Sequence, residues 1–147
     1  MILAVTLFVA YANGANDNFK GVATLFGSRT TNYRMALFWA TGMTFAGSIT
    51  SFFLSTRLIE TFSGKGLIPD ALLANPVFLT AVISGAGVTV FSAAKLGIPV
   101  STTHGLIGAM VGAGFVALEG NLGYATLGKR FFLPLLLSPL IALALTS

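Results

Sequence analysis

The 147-residue chain has no cysteine and a single histidine, His104. Disulfides and thiolate metal sites are therefore excluded, and one imidazole cannot build a histidine metal centre. Charge is as scarce. Only 8% of residues are charged, where a soluble domain carries about a quarter, and the acidic residues are Asp17, Glu60, Asp70 and Glu119 alone. So few charges cannot cover a water-facing surface. No basic residue precedes the first apolar run and no cleavage-type site follows it, so the run reads as a membrane segment rather than a secretory signal peptide.

What is abundant points the same way. Hydrophobic residues make up 55% of the chain and the mean hydropathy is +0.90. The 17 glycines suit close helix approach and helix breaks within a bilayer. The expected class is an all-α polytopic membrane protein with the lipid bilayer as its surroundings, in a plasma or inner membrane. The net charge of +4 comes from scattered Lys and Arg, a pattern of loop ends at lipid headgroups and not of a nucleic-acid surface.

A spanning helix needs roughly 20 mostly apolar residues, and about five hydrophobic segments are expected. Residues 1–12 are too short alone, and the segment continues through polar residues to about 27. Two half-helices joined at 13–17 are expected there, because Asn13-Gly14 is a breaker pair. Residues 28–34 (SRTTNYR) form a polar connector. Residues 35–56 are the clearest span, with Trp39 near one end. Residues 57–75 read as a solvent or headgroup loop with a short interfacial helix. Pro76 opens the next span, to about 94, and 96–100 (LGIPV) is a second break. Residues 101–118 and 131–147 are the last two segments, separated by a polar loop over 119–130. The basic residues divide as Arg29, Arg34 and Lys95 against Arg57, Lys65, Lys129 and Arg130, too even a split to orient the chain. Glycines recur at 42, 47, 85, 87, 105, 108, 112 and 114, and Gly108 with Gly112 makes a small-residue face suited to helix packing.

Two stretches carry chemistry. In the first, Asn16, Asp17, Asn18 and Lys20 lie inside apolar sequence. A carboxylate at membrane depth costs a few kcal/mol or more unless it faces a partner, a cavity or an ion. Asp17 is therefore a candidate ligand for a cation such as sodium, with Asn16 and Asn18 as neutral co-ligands; the plain alternative is an ion pair with Lys20 on one helix face. In the second stretch, Ser101, Thr102 and Thr103 offer three hydroxyls beside the free amides of a new helix, either an anion cradle or simply a helix cap. His104 reads as a hydrogen-bonded helix residue. Ser101 with His104 lacks an orienting acid and an oxyanion hole, so no enzyme and no cofactor are expected.

These two stretches, GANDNFKGVATLFGS at 14–28 and GIPVSTTHGLIGAMVGAG at 97–114, together resemble the inorganic phosphate transporter (PiT) family of ion-coupled phosphate symporters. The resemblance covers nearly the whole chain as the amino-terminal half of a member. It implies one repeat of an inverted-repeat transporter. The second repeat, or a second chain, would complete the site, and the full-length protein would be a homodimer. It also implies that Asn16 and Asp17 serve the ion and phosphate site and that Ser101, Thr102 and Thr103 meet phosphate oxygens. The usual family pattern is GANDVAN; here Lys20 stands where its last Asn would be. Lys20 thereby becomes a candidate phosphate ligand or a replacement for sodium beside Asp17, and the coupling ion is sodium or a proton. A sulfate permease and a non-transporting membrane subunit are the alternatives.

Overall fold

The computed structural model describes residues 1–146, so Ser147, the end of the expected last segment, lies outside the described residues, as does the side chain of Arg57. Every regular element among them is helical. In order these are α1 (Ile2–Asp17), a 3₁₀ turn (Lys20–Val22), α2 (Ala23–Gly27), α3 (Tyr33–Leu54), α4 (Thr56–Phe62), α5 (Asp70–Leu73), α6 (Pro76–Leu96), α7 (Thr102–Ala117), α8 (Tyr124–Leu127), a π turn (Gly128–Phe132) and α9 (Leu133–Thr146). Among the described residues three helical stretches are long and apolar enough to cross a bilayer: α3, α6 and Tyr124–Leu145. The chain is a multi-pass membrane protein of the expected all-α class; beside those three stretches the described residues hold one shorter apolar helix, α7.

Local chemistry sets the helix ends. Asn32 caps α3 by accepting from the amide of Met35 at 2.9 Å. Asn75 caps α6, accepting from Val77 at 2.8 Å and Phe78 at 3.4 Å, and Pro76 fills the first turn, where no amide partner is needed. Gly97 stops α6 in the left-handed conformation, φ 69°, and the amide of Ile98 bonds back to the carbonyl of Ala93 at 2.9 Å.

The first break lies later than the sequence predicts. α1 runs unbroken through Asn13 and Gly14 and gives way only after Asp17. The polar side chains of Asn13 and Asn16 do not compete with the helical backbone, because partners far along the chain engage them. The loop expected over 119–130 is also shorter, since helix resumes at Tyr124. Its first turns include a π turn just ahead of Pro134, which has no amide to continue the α-helical ladder.

α1 and α6 pack side by side in parallel. Phe8 meets Phe91 with ring centroids 5.5 Å apart. A Cβ on Gly87 would sit 2.9 Å from side-chain atoms of Phe8 and Val9, so this approach needs a glycine. α6 and α7 form a hairpin in which Gly85 faces Ala109 and Gly105 faces Val90. The predicted Gly108–Gly112 face is not used in this packing: a Cβ at either would meet nothing within 4 Å.

A small core fills the end of the hairpin away from its turn, built from Phe78, Val82, Met110, Leu122 and Phe131 and sealed by Leu67 and Ile68. Those last two belong to the segment expected to be a solvated loop, yet each is only 2% exposed. The amide of Gly123 holds this plug by bonding the carbonyl of Leu67 at 3.1 Å. α3 stands apart from this core. It packs on the first segment through Ala36, Ala40 and Val22, and most of its other large apolar side chains, Phe38, Phe45 and Phe52 among them, face outward.

Candidate functional site

The parallel pairing of α1 with α6, followed by the hairpin to α7, brings three helix ends together. The carboxyl ends of α1 and α6 and the amino end of α7 meet around the turn at 97–101. Helix carboxyl ends favour cations and amino ends favour anions, so this is the place in the fold able to hold both signs of charge. An open cleft of about 630 Å³ lies there, lined by Asn13, Asp17, Lys20 and residues 99–103.

Asp17 is the hub. Its Oδ1 accepts from Lys20 Nζ at 2.5 Å and from Asn16 Nδ2 at 2.8 Å, and its Oδ2 lies 3.4 Å from Thr102 Oγ1. Asn16 Nδ2 also donates to the carbonyl of Val100 at 2.7 Å, 84 residues away in sequence. Lys20 Nζ donates to the same carbonyl at 3.3 Å. Thr102 Oγ1 further donates to Asn13 Oδ1. Lys20 and Asp17 form the sole ion pair among the described residues, and their formal charges cancel. Both stay accessible, with side-chain exposures of 44% and 40%.

The hydroxyl run divides by role. Ser101 Oγ caps α7, accepting from the amide of His104 at 3.4 Å, which leaves its own proton available. Thr102 is committed to α1. Thr103 lines the cleft with no hydrogen-bond partner among the described residues. The sequence-predicted residues Asn16, Asp17, Lys20, Ser101, Thr102 and Thr103 thus share one site. Asn18 does not join them. It turns to α3, donating to Thr41 Oγ1 at 3.1 Å and accepting from Thr44 Oγ1 at 2.8 Å. His104 is elsewhere too: its ring borders an apolar pocket with Ile107, Gly108, Val111, Leu127 and two phenylalanines, with no side-chain hydrogen bond among the described residues.

Two participants escaped the sequence reading. Asn13 lies one helical turn before Asp17, on the same face, and that four-residue spacing was the available signal. The Val100 carbonyl is a backbone group, and its only signal was its place between Pro99 and a helix start.

The cleft brings together one ammonium, two hydroxyls with protons to donate, the amino end of α7 and a carboxylate. No cluster of three metal-ligating side chains occurs among the described residues.

The profile of the phosphate transporter family matches residues 13–147. The chain is 33% identical, over 99% of its length, to a "probable low-affinity inorganic phosphate transporter" of Streptomyces halstedii, of which it covers 66%. It is 34% identical, over 77% of its length, to a protein of the same name from Rhizobium meliloti, of which it covers 32%. The chain therefore spans about two thirds of the first of these relatives and about a third of the second. No solved structure matches it.

Proposed function

The chain belongs to the phosphate transporter family, and from that premise we propose that its cleft is half of the inorganic phosphate site of a cation-coupled symporter. One observation carries the reading. Two stretches more than 80 residues apart converge so that Asp17, Lys20 and the hydroxyls of Ser101 and Thr103 border a single cleft.

The charge arithmetic gives symport a physical reason. Asp17 and Lys20 sum to zero. A phosphate anion entering this neutral site adds negative charge at a place where uncompensated charge is costly. A cation that enters with it restores the balance. Lys20 already stands beside Asp17, in the position that would otherwise favour sodium, so in this half of the site a proton is the better-suited partner. Phosphate oxygens meet the Lys20 ammonium, the Ser101 and Thr103 hydroxyls and the first amides of α7. Asp17 accepts from the hydroxyl of protonated phosphate, a group sulfate lacks, and this gives the site a basis for rejecting sulfate. Asn16 orients Asp17 against the Val100 carbonyl, and Thr102 ties the two stretches together. Asn18, expected as a coupling-ion ligand, acts in this reading by anchoring the stretch to α3.

The cleft is open, so a second repeat related by inversion, from a longer protein or a second chain, closes it. Rocking of one repeat against the other alternates access, and the whole protein works as a homodimer. No catalytic step is involved.

The test is uptake of radiolabelled phosphate by the full protein in proteoliposomes. Saturable uptake driven by an inward proton gradient, little affected by excess sulfate, is expected. Equal competition by sulfate would make it a general oxyanion permease. A properly assembled protein with no gradient-driven uptake would contradict the reading and leave a structural subunit.

A further inference from the structure

The connector between α2 and α3 holds two adjoining open clefts, of about 720 and 690 Å³. They meet at Asn32 and Met35, which border both. The first is lined by Arg29, Thr30 and Thr31 on its polar side and Phe26 on its apolar side. The second is lined by Arg34, Tyr33 and Phe38. Neither guanidinium has a hydrogen-bond or ion-pair partner among the described residues, and no acidic residue occurs between Asp17 and Glu60. Arg29 also sits in the left-handed region, φ 59°, a conformation that an L-residue adopts only at a cost and that glycine adopts freely. Keeping an arginine there makes sense if its side chain is used.

The position identifies what it is used on. α3 is 22 residues long, about 33 Å at the helical rise, and so reaches across the roughly 30 Å hydrocarbon layer. Its first residues therefore lie at one bilayer face. Below the arginines, Met35, Phe38 and Trp39 are exposed on the helix, Phe38 by 70%. Two unpaired guanidiniums and hydroxyls sit at headgroup level, and an apolar strip continues from them into the hydrocarbon region. We infer that this connector binds an anionic phospholipid, with the lipid phosphate on Arg29 and Arg34 and an acyl chain along Met35 and Phe38. Free phosphate shares the headgroup chemistry but has nothing to place on the apolar strip.

Trp39, the single tryptophan of the chain, is packed edge-on to Phe38 with ring centroids 6.2 Å apart and serves as the reporter. The full protein is placed in nanodiscs containing phosphatidylglycerol or phosphatidylcholine brominated near the headgroup end of the chains. Trp39 quenching is taken as the difference from the Trp39→Phe variant. A basic residue at an anionic surface contributes about fivefold in affinity, so the pair predicts a preference for phosphatidylglycerol on the order of tenfold to thirtyfold. Arg29→Gln and Arg34→Gln should each remove about fivefold of it, Arg→Lys at either position should retain most of it, and millimolar inorganic phosphate should leave it unchanged. Equal quenching by the two lipids would overturn the proposal. So would relief by inorganic phosphate, which would assign the clefts to free anion. An equal loss in Lys129→Gln/Arg130→Gln would do so too, by showing a general charge effect.

Discussion

Asp17 accepts from Asn16 and Lys20, with the Thr102 hydroxyl nearby, and of these only Lys20 carries charge. Removing that charge leaves the carboxylate without a counter-ion beside a cleft open to solvent ions. Lys20→Asn should therefore make uptake more dependent on sodium, measured as the ratio of sodium-driven to proton-driven transport. An unchanged ratio would show that Lys20 does not substitute for a bound cation. The hydroxyls make a second prediction, because they separate structure from binding. Thr102 links α7 to Asn13 and Asp17, so Thr102→Val should lower stability by about 1 kcal/mol, seen as a lower melting temperature in detergent. Thr103 makes no such link. Thr103→Val should melt within about 0.5 kcal/mol of the parent yet bind phosphate more weakly. The charged members of this site were legible in the sequence, since an ionisable residue in an apolar run is expensive wherever it lies. The division of labour among Ser101, Thr102 and Thr103 was not. It depends on Asn13, which lies 89 residues from Thr102, and no local pattern reports that pairing.

At the scale of elements, the cleft exists because a parallel pair and a hairpin share α6. Both contacts need small residues, and so does the plug at the far end. A Cβ on Gly123 would lie 2.1 Å from the Gly66 carbonyl oxygen, a backbone atom that cannot swing aside. Gly123→Ala should cost about 1–3 kcal/mol and loosen the seal formed by Leu67 and Ile68, read as a lower melting temperature together with faster hydrogen exchange at 64–68. Gly87→Leu should act at the other contact, prising α1 from α6 and separating Asn16 from Val100, with phosphate binding falling along with stability. Helix placement was largely readable: 35–56 was expected where α3 runs Tyr33–Leu54, and Asn75, Pro76 and Gly97 mark the ends of α6. The misreadings share one cause. Asn13-Gly14 did not break α1, and Leu67-Ile68 did not lie in solvent, because partners distant in sequence outweighed local propensity at both places.

For the molecule as a whole, three stretches among the described residues are able to span a bilayer, and the cleft between the end of α1 and the start of α7 is open. The outward apolar surface of α3 and the unused Gly108–Gly112 face are consistent with a chain that meets lipid and a further repeat. The site itself stands or falls on one claim, that the stretches around Asp17 and Thr103 act on the same phosphate ion. The most direct measurement is equilibrium binding of radiolabelled phosphate to the purified full protein in a double-mutant cycle of Lys20→Gln and Thr103→Val. The account predicts that each change weakens binding and that the two are coupled by about 0.5 kcal/mol or more. Binding that is unaffected by either change, or losses that simply add, would contradict it.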